Sequence, residues 1–323
     1  MFRQLIACSL AAAACAAAPV EAQAAYPDHS IRIIVPFAPG GSTDILGRLL
    51  AKALQPILGQ TVIVENKAGA AGNIGGAMVA RARPDGYTLL LAAAGPTVIN
   101  PSLYKDMPFN PATDLAPITA LTREHNLMVI NPQIPATNLQ EFIAYAKSHP
   151  GSISYGSPGI GTPAHLAGQL LNQRAGIQMR HIPYKGTGPA ISDLLANRIS
   201  VMIDNMPPLL LYVQSGRLRA IAVPSPSRAA AAPNVPTFQE QGVHNFVVMA
   251  WKGLMAPQGT PRAVIDKLHD ACVQALREPD IQKRLLQLGA EPEGNTPEAF
   301  GEQIRKETAW WADVIKKTHT TIQ

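Results

Sequence analysis

Apolar positions in this chain alternate between strand-like runs and helix-like spacing. Residues 31–35 form an apolar run interrupted only by Arg32, and Ile45, Leu46, Leu49, Leu50, Ala53, Leu54, Ile57 and Leu58 then recur on one helix face. A second strand is predicted over 61–65, a helix over about 77–83 and a third strand over 87–92. Continuous apolar strands separated by helices indicate a parallel sheet covered on both faces. Residues 98–126, with Pro101, Pro108, Pro111 and Pro117, read as irregular chain leaving this first unit. The alternation resumes with strands over 127–130, 153–155, 178–182, 199–203 and 218–223. Between them fall helices over 139–148, with Thr137 and Gln140 as a capping box, from Thr162-Pro163 to Gly176, and over 189–197. A strand over 246–255 returns to the first unit. The helices that follow, with Phe300, Ile304, Trp311 and Ile315 on one face of the last, have no strand of their own and must pack there.

The fold class expected from this order is α/β, in two lobes with a hinge and a cleft between them. One lobe takes 25–126 and 246–323 and the other 127–245, so the chain crosses twice.

Two turns share one design. Val35-Pro36-Phe37-Ala38-Pro39-Gly40-Gly41-Ser42-Thr43-Asp44 runs from a strand into a helix start, and so does Gly156-Ser157-Pro158-Gly159-Ile160-Gly161-Thr162-Pro163-Ala164-His165. Helix starts leave backbone N–H groups unpaired, and glycine lets a guest approach them, so each turn suits an anion. The plainer reading is that the hydroxyls and Asp44 only cap their helices. Ligands of open α/β sheets sit beyond the carboxyl ends of the strands, where both turns fall.

Residues 1–24 read as an export signal cleaved near Ala24: Arg3, an apolar stretch over 5–20, then Ala22-Gln23-Ala24. Leu5-Ile6-Ala7-Cys8 resembles a lipobox but lies too near the start to follow an apolar segment. After cleavage Cys272 stands alone, which excludes an internal disulfide. The net charge of +5 favours small anionic partners. The basic residues are scattered and aromatics are 5% of the chain, which argues against nucleic acid and against sugar stacking.

Signals for catalysis and cofactors are weak. Gly159-x-Gly161-x-x-Ala164 matches a dinucleotide fingerprint but lacks the acid about 20 residues on. No two histidines are spaced for a helical metal pair, so no metal and no cofactor is expected. Asp44 and Asp204, both at strand exits, leave a carboxylate-acting enzyme as a minor alternative. Asp204 also suits an amine or hydroxyl of a guest.

Pro36-Phe37-x-Pro39-Gly40-Gly41-x-x-Asp44, Val64-Glu65-Asn66-Lys67-x-Gly69-Ala70-x-Gly72, Pro84-Asp85-Gly86-Tyr87, Tyr155-Gly156-Ser157-x-Gly159-x-Gly161-Thr162-x-x-His165, Pro183-Tyr184-Lys185-Gly186 and Ala256-Pro257-x-Gly259-Thr260-Pro261 stand in order along the chain. Together they resemble the Bug (TctC-like) extracytoplasmic solute receptors of tripartite tricarboxylate transporters. The resemblance implies a type II periplasmic binding protein fold, a monomer that closes on a small carboxylate and delivers it to a membrane permease, or to a sensory partner in the alternative reading. It places Phe37, Ala38, Gly40, Gly41, Thr43 and Asp44 on one wall and Ser157, Gly159, Gly161, Thr162 and His165 on the other. Asn73, Gly95, Thr97, Tyr184 and Asp204 are expected around the rest of the ligand, with His125-Asn126 near the first crossing as a place for ligand choice.

Overall fold

A computed structural model describes residues 26–318, so the expected export signal over 1–24 lies outside the described residues. Strands β1 (Ile31–Val35), β2 (Val62–Asn66) and β3 (Thr88–Ala93) are parallel, in the order β2-β1-β3. Helix α1 (Ser42–Leu58) joins β1 to β2, and α2 (Asn73–Ala80) leads toward β3. One face of this sheet buries Ile33, Val35, Leu89 and Leu91 against Leu46, Leu50 and Leu54 of α1. The opposite face buries Ile34, Leu90 and Ala92 with Phe109, Phe300 and Ile304. That two-sided burial is complete for β3, whereas β1 exposes Arg32 and the edge strand β2 is buried only at Val62.

Short helices α3 (Asn100–Leu103) and α4 (Pro111–Asp114) lead into β4, which runs without interruption from Leu115 to Ile130. The irregular reading of 98–126 is therefore corrected from Leu115 onward. Pro117 and the polar residues Thr119, Thr122, Glu124 and Asn126 hid the strand, but strands flank it on both sides and the register shifts between Pro117 and Thr119 and again between Ala120 and Thr122. Proline is tolerated at such irregularities because its missing N–H falls out of the ladder there.

Beyond β4, helix α5 (Leu139–Ser148) has Asn138 as its cap: its side chain accepts from Glu141 N at 2.9 Å, and Glu141 accepts from Thr137 N at 2.7 Å. The capping box thus lies one residue later than Thr137-Gln140, because the acid at 141 offers two acceptors where a glutamine offers one. β5 (Ser154–Ser157), α6 (Pro163–Ala175), β6 (Arg180–Pro183), α7 (Thr187–Leu195), β7 (Val201–Asn205), α8 (Met206–Gln214) and β8 (Arg219–Ala222) complete the second α/β array. Its two cores lie on either side of the sheet, one around Phe142, Tyr155 and Phe238 and one around Leu194, Met202 and Leu209.

β4 belongs to both sheets. Leu115 to His125 pair with β9 (Met249–Pro257), which in turn pairs with β3, whereas Asn126 to Ile130 pair with β7. Asn126 Nδ2 donates to the carbonyl of Val248 at 2.9 Å, tying the two chain crossings together. The remaining elements are α9 (Arg262–Arg277), α10 (Pro279–Gln287), β10 (Ala290–Pro292) and α11 (Pro297–Thr318). The C-terminal part has a strand after all, since β10 adds antiparallel to Thr122, Arg123 and Glu124 of β4. Among the described residues no helix is long and apolar enough to cross a membrane.

Candidate functional site

At the junction of the two arrays the carboxyl ends of β1, β3, β5 and β7 converge on a narrow cavity that opens to solvent. Phe37, Gly41, Ser42, Thr43, Ala93, Ala94 and Gly95 line it from one side. Pro158, Thr162, Pro163, Ala164, Thr187, Asp204 and Asn205 line it from the other, with Ala250 and Lys252 of β9 at the hinge end.

Gly41 is the N-cap of α1 and offers no side-chain cap, which leaves the N–H groups of the first turn without a capping partner where Gly41, Ser42 and Thr43 line the cavity. α7 likewise starts at Thr187 behind Gly186 without a side-chain cap, two residues earlier than the helix read from Pro189. The arrays already touch: Ala38 N donates to Lys185 O at 3.0 Å, and Asn205 Nδ2 donates to Ser42 Oγ at 2.8 Å. Gly186 has φ +153°, and a Cβ there would come within 2.8 Å of Ala38 N, so only glycine permits this approach.

Of the sequence-named residues, Phe37, Gly41, Thr43, Gly95, Thr162 and Asp204 line the cavity. The others take different places. Asp44 accepts from Gly40 N and Arg48 Nε, both at 3.1 Å, and from Asn66 at 3.0 Å. Burial works against its charge, but these donors outweigh it and hold the carboxyl below the usual range. Gly40 lies in a surface groove with Gly188. Ser157 Oγ is 2.6 Å from His181 Nε2, and His165 Nδ1 accepts from Gly161 N at 3.2 Å. The two imidazoles pack at 4.3 Å between centroids, and burial pushes His165 down to about 4 and His181 to about 3, the latter with help from His165. Both rings are therefore neutral, His165 within the second turn and His181 on the neighbouring strand β6.

Gly159 and Gly161 abut Ala71 and Asn100, and Asn73 Oδ1 accepts from Asn100 Nδ2 at 2.7 Å. Asn73 Nδ2 and Thr97 Oγ1 are buried without a protein partner. Tyr184 turns its hydroxyl to Asp193, at 2.7 Å, and His125 meets Glu291 at 3.2 Å.

The two named turns thus contribute to one cavity without facing each other directly. The first abuts 185–188, and the second abuts Ala71, Gly95 and Asn100.

Sequence reading missed Thr187, Asn205 and Lys252 as lining residues, and the ion pair of Lys252 Nζ with Glu124 Oε2 at 3.1 Å, both side chains fully buried. The one available signal was a lysine inside the apolar run of 246–255.

Two sheet-based lobes sharing a hinge strand, with uncapped helix starts at the gap between them, define the class of two-lobe periplasmic binding proteins. The periplasmic binding protein BugD has this fold, with a TM-score of 0.89 and 40% identity over 92% of this chain and all of that one. Within the class, the chain belongs to the TctC family, the tripartite tricarboxylate transporter family receptors, whose profile matches residues 46–319. Two family-like structures from Rhodopseudomonas palustris carry ligands, each at 32% identity over 90% of this chain. One, with adipate, has a TM-score of 0.88 over 97% of its own length; the other, MatC with bound malate, scores 0.85 over its full length.

Proposed function

We propose that the mature chain is an exported receptor that holds a small carboxylate between its lobes and hands it to the permease subunits of a tripartite tricarboxylate transporter. The observation that carries this reading is the uncapped start of α1, opening with Gly41, Ser42 and Thr43 into a cavity that the other lobe also lines. Hydrogen bonds to a charged group contribute about 1.5–3 kcal/mol each, and micromolar binding needs about 8 kcal/mol, so donors from both lobes are required. Adipate and malate in the related structures support the same ligand class.

In this reading Phe37, Gly41, Thr43, Gly95, Thr162 and Asp204 meet the ligand, while Ala38, Gly40, Asp44, Asn73, Thr97, Ser157, Gly159, Gly161, His165 and Tyr184 shape the walls around it. The lobes are 25–126 with 246–323, and 127–245; the change of partner along β4 between His125 and Asn126 supports that division. The receptor acts as a monomer, with export directed by residues 1–24, and performs no catalysis. The ties of Asp44 to Arg48, Gly40 and Asn66 speak against a catalytic pair with Asp204.

A thermal-shift panel of organic acids tests the reading: at least one acid raises the melting temperature, and a full panel with no shift defeats it. Gly41→Leu abolishes the shift with the fold intact, because a Cβ at 41 already lies 3.4 Å from Thr187 Cβ and a larger side chain holds the lobes apart.

A further inference from the structure

The hinge end of the cavity carries a charge imbalance. Three ionisable side chains are buried there: Glu124 on β4 (1% exposed), Lys252 on β9 (2%) and Asp204 on β7 (2%). Lys252 and Glu124 form an ion pair and neutralise each other. Asp204 has no basic group within 4 Å among the described residues. Its oxygens accept from the Thr187 hydroxyl and the Asn205 N–H, both at 2.8 Å and both neutral donors. The charged groups that face it are Lys252 from β9 and Glu124 from β4, opposite in sign. Two acids against one base leave this corner with one excess negative charge when all three are ionised.

A guest carboxylate held at the α1 start lies in the same cavity as Asp204 and brings a second negative charge into it. Like charges interact strongly at low dielectric, and the least costly relief is to neutralise the weaker acid. Burial already pushes Asp204 up to about 6, so it is the acid that yields.

We infer that Asp204 selects the charge of the guest: the receptor takes its carboxylate together with one proton, carried on the Asp204 side chain. The inference rests on the carboxylate reading above and deepens it. The proton comes from solvent and bonds to an Asp204 oxygen, and no other bond forms or breaks. On Oδ2 it donates to Thr187 Oγ1, whose own hydrogen is then released toward the cavity that Thr187 lines. Proton uptake thereby removes a repulsive charge and frees a donor for the guest.

Calorimetric titration of the mature protein with malate and adipate between pH 6.5 and 8.5, in two buffers of different ionisation heat, tests this. Both probes keep their carboxylates ionised in that range. Expected is an uptake approaching one proton at the upper end, with affinity falling by up to about tenfold per pH unit above the free Asp204 value. Asp204→Asn, an isostere of the protonated acid, is expected to bind without pH dependence. Wild-type binding with no proton uptake and a constant Kd overturns the inference while leaving the carboxylate reading intact, and so does an Asp204→Asn protein that keeps the wild-type slope. The proton count needs only the wild-type chain, so a variant that fails to fold does not stop the test. If no acid of the wider panel binds at any pH, the carboxylate reading and this inference fail together.

Discussion

The turns at 37–44 and 157–165 look alike in sequence and differ in how they use their polar groups. In the first, Gly41 caps α1 with backbone alone, and the helix start stays open to the cavity. In the second, Thr162 accepts from His165 N, Ser157 engages His181 and the backbone of Gly159, and His165 takes the Gly161 N–H. The second turn satisfies itself. Glycine, hydroxyl and helix start in series therefore announce a tight turn, but anion-readiness depends on whether a side chain has already taken the free N–H groups. In the proposed reading the first turn attracts the guest's charge, and the second forms part of the cavity wall.

The largest effect expected from this contrast is at Gly161. Its φ is +92°, and an added Cβ would lie 2.2 Å from Asn100 Oδ1, so Gly161→Ala strains the backbone and pushes the facing lobe away. We expect about 1–3 kcal/mol of lost stability in urea unfolding, and weaker ligand binding with it. A variant of wild-type stability would mean that the second turn is not rigid.

Next comes acid. His165 and His181 titrate below their unfolded value of about 6.5, so the stability they contribute is fully present above that value and is lost as pH falls through about 4 and then about 3. The melting temperature should drop steeply between pH 6 and 4, and His181→Asn should flatten that drop. An unchanged slope in the variant counts against buried neutral imidazoles.

Thr162→Ala removes a helix cap and is expected to cost about 1 kcal/mol, measured by the same unfolding experiment. Smallest of all, Gly41→Ala meets Thr187 at an ordinary 3.4 Å and adopts the observed φ of −86° freely, so stability should change by no more than about 0.5 kcal/mol. A loss matching that of Gly161→Ala would erase the distinction between the turns.

How far each part was legible in the sequence follows from the range of the forces involved. The apolar strands, the helix face of α1 and the Thr162-Pro163 start are local patterns, and they stand where periodicity and capping put them. β4 was not legible over 115–126, because its polar residues are buried by β9, β10 and β7, which lie far away along the chain. The same reason hid Lys252 and Glu124: a charge is affordable in an apolar strand only when its partner arrives from another, 128 residues away here.

By itself, then, the sequence determined the α/β alternation, the two glycine turns and the family they mark, since these rest on backbone preference and period over a few residues. Which turn stays open to a guest, which acids are buried together and where one strand passes from sheet to sheet were decided by the tertiary structure. Desolvation and hydrogen-bond competition act only once distant segments have been packed side by side.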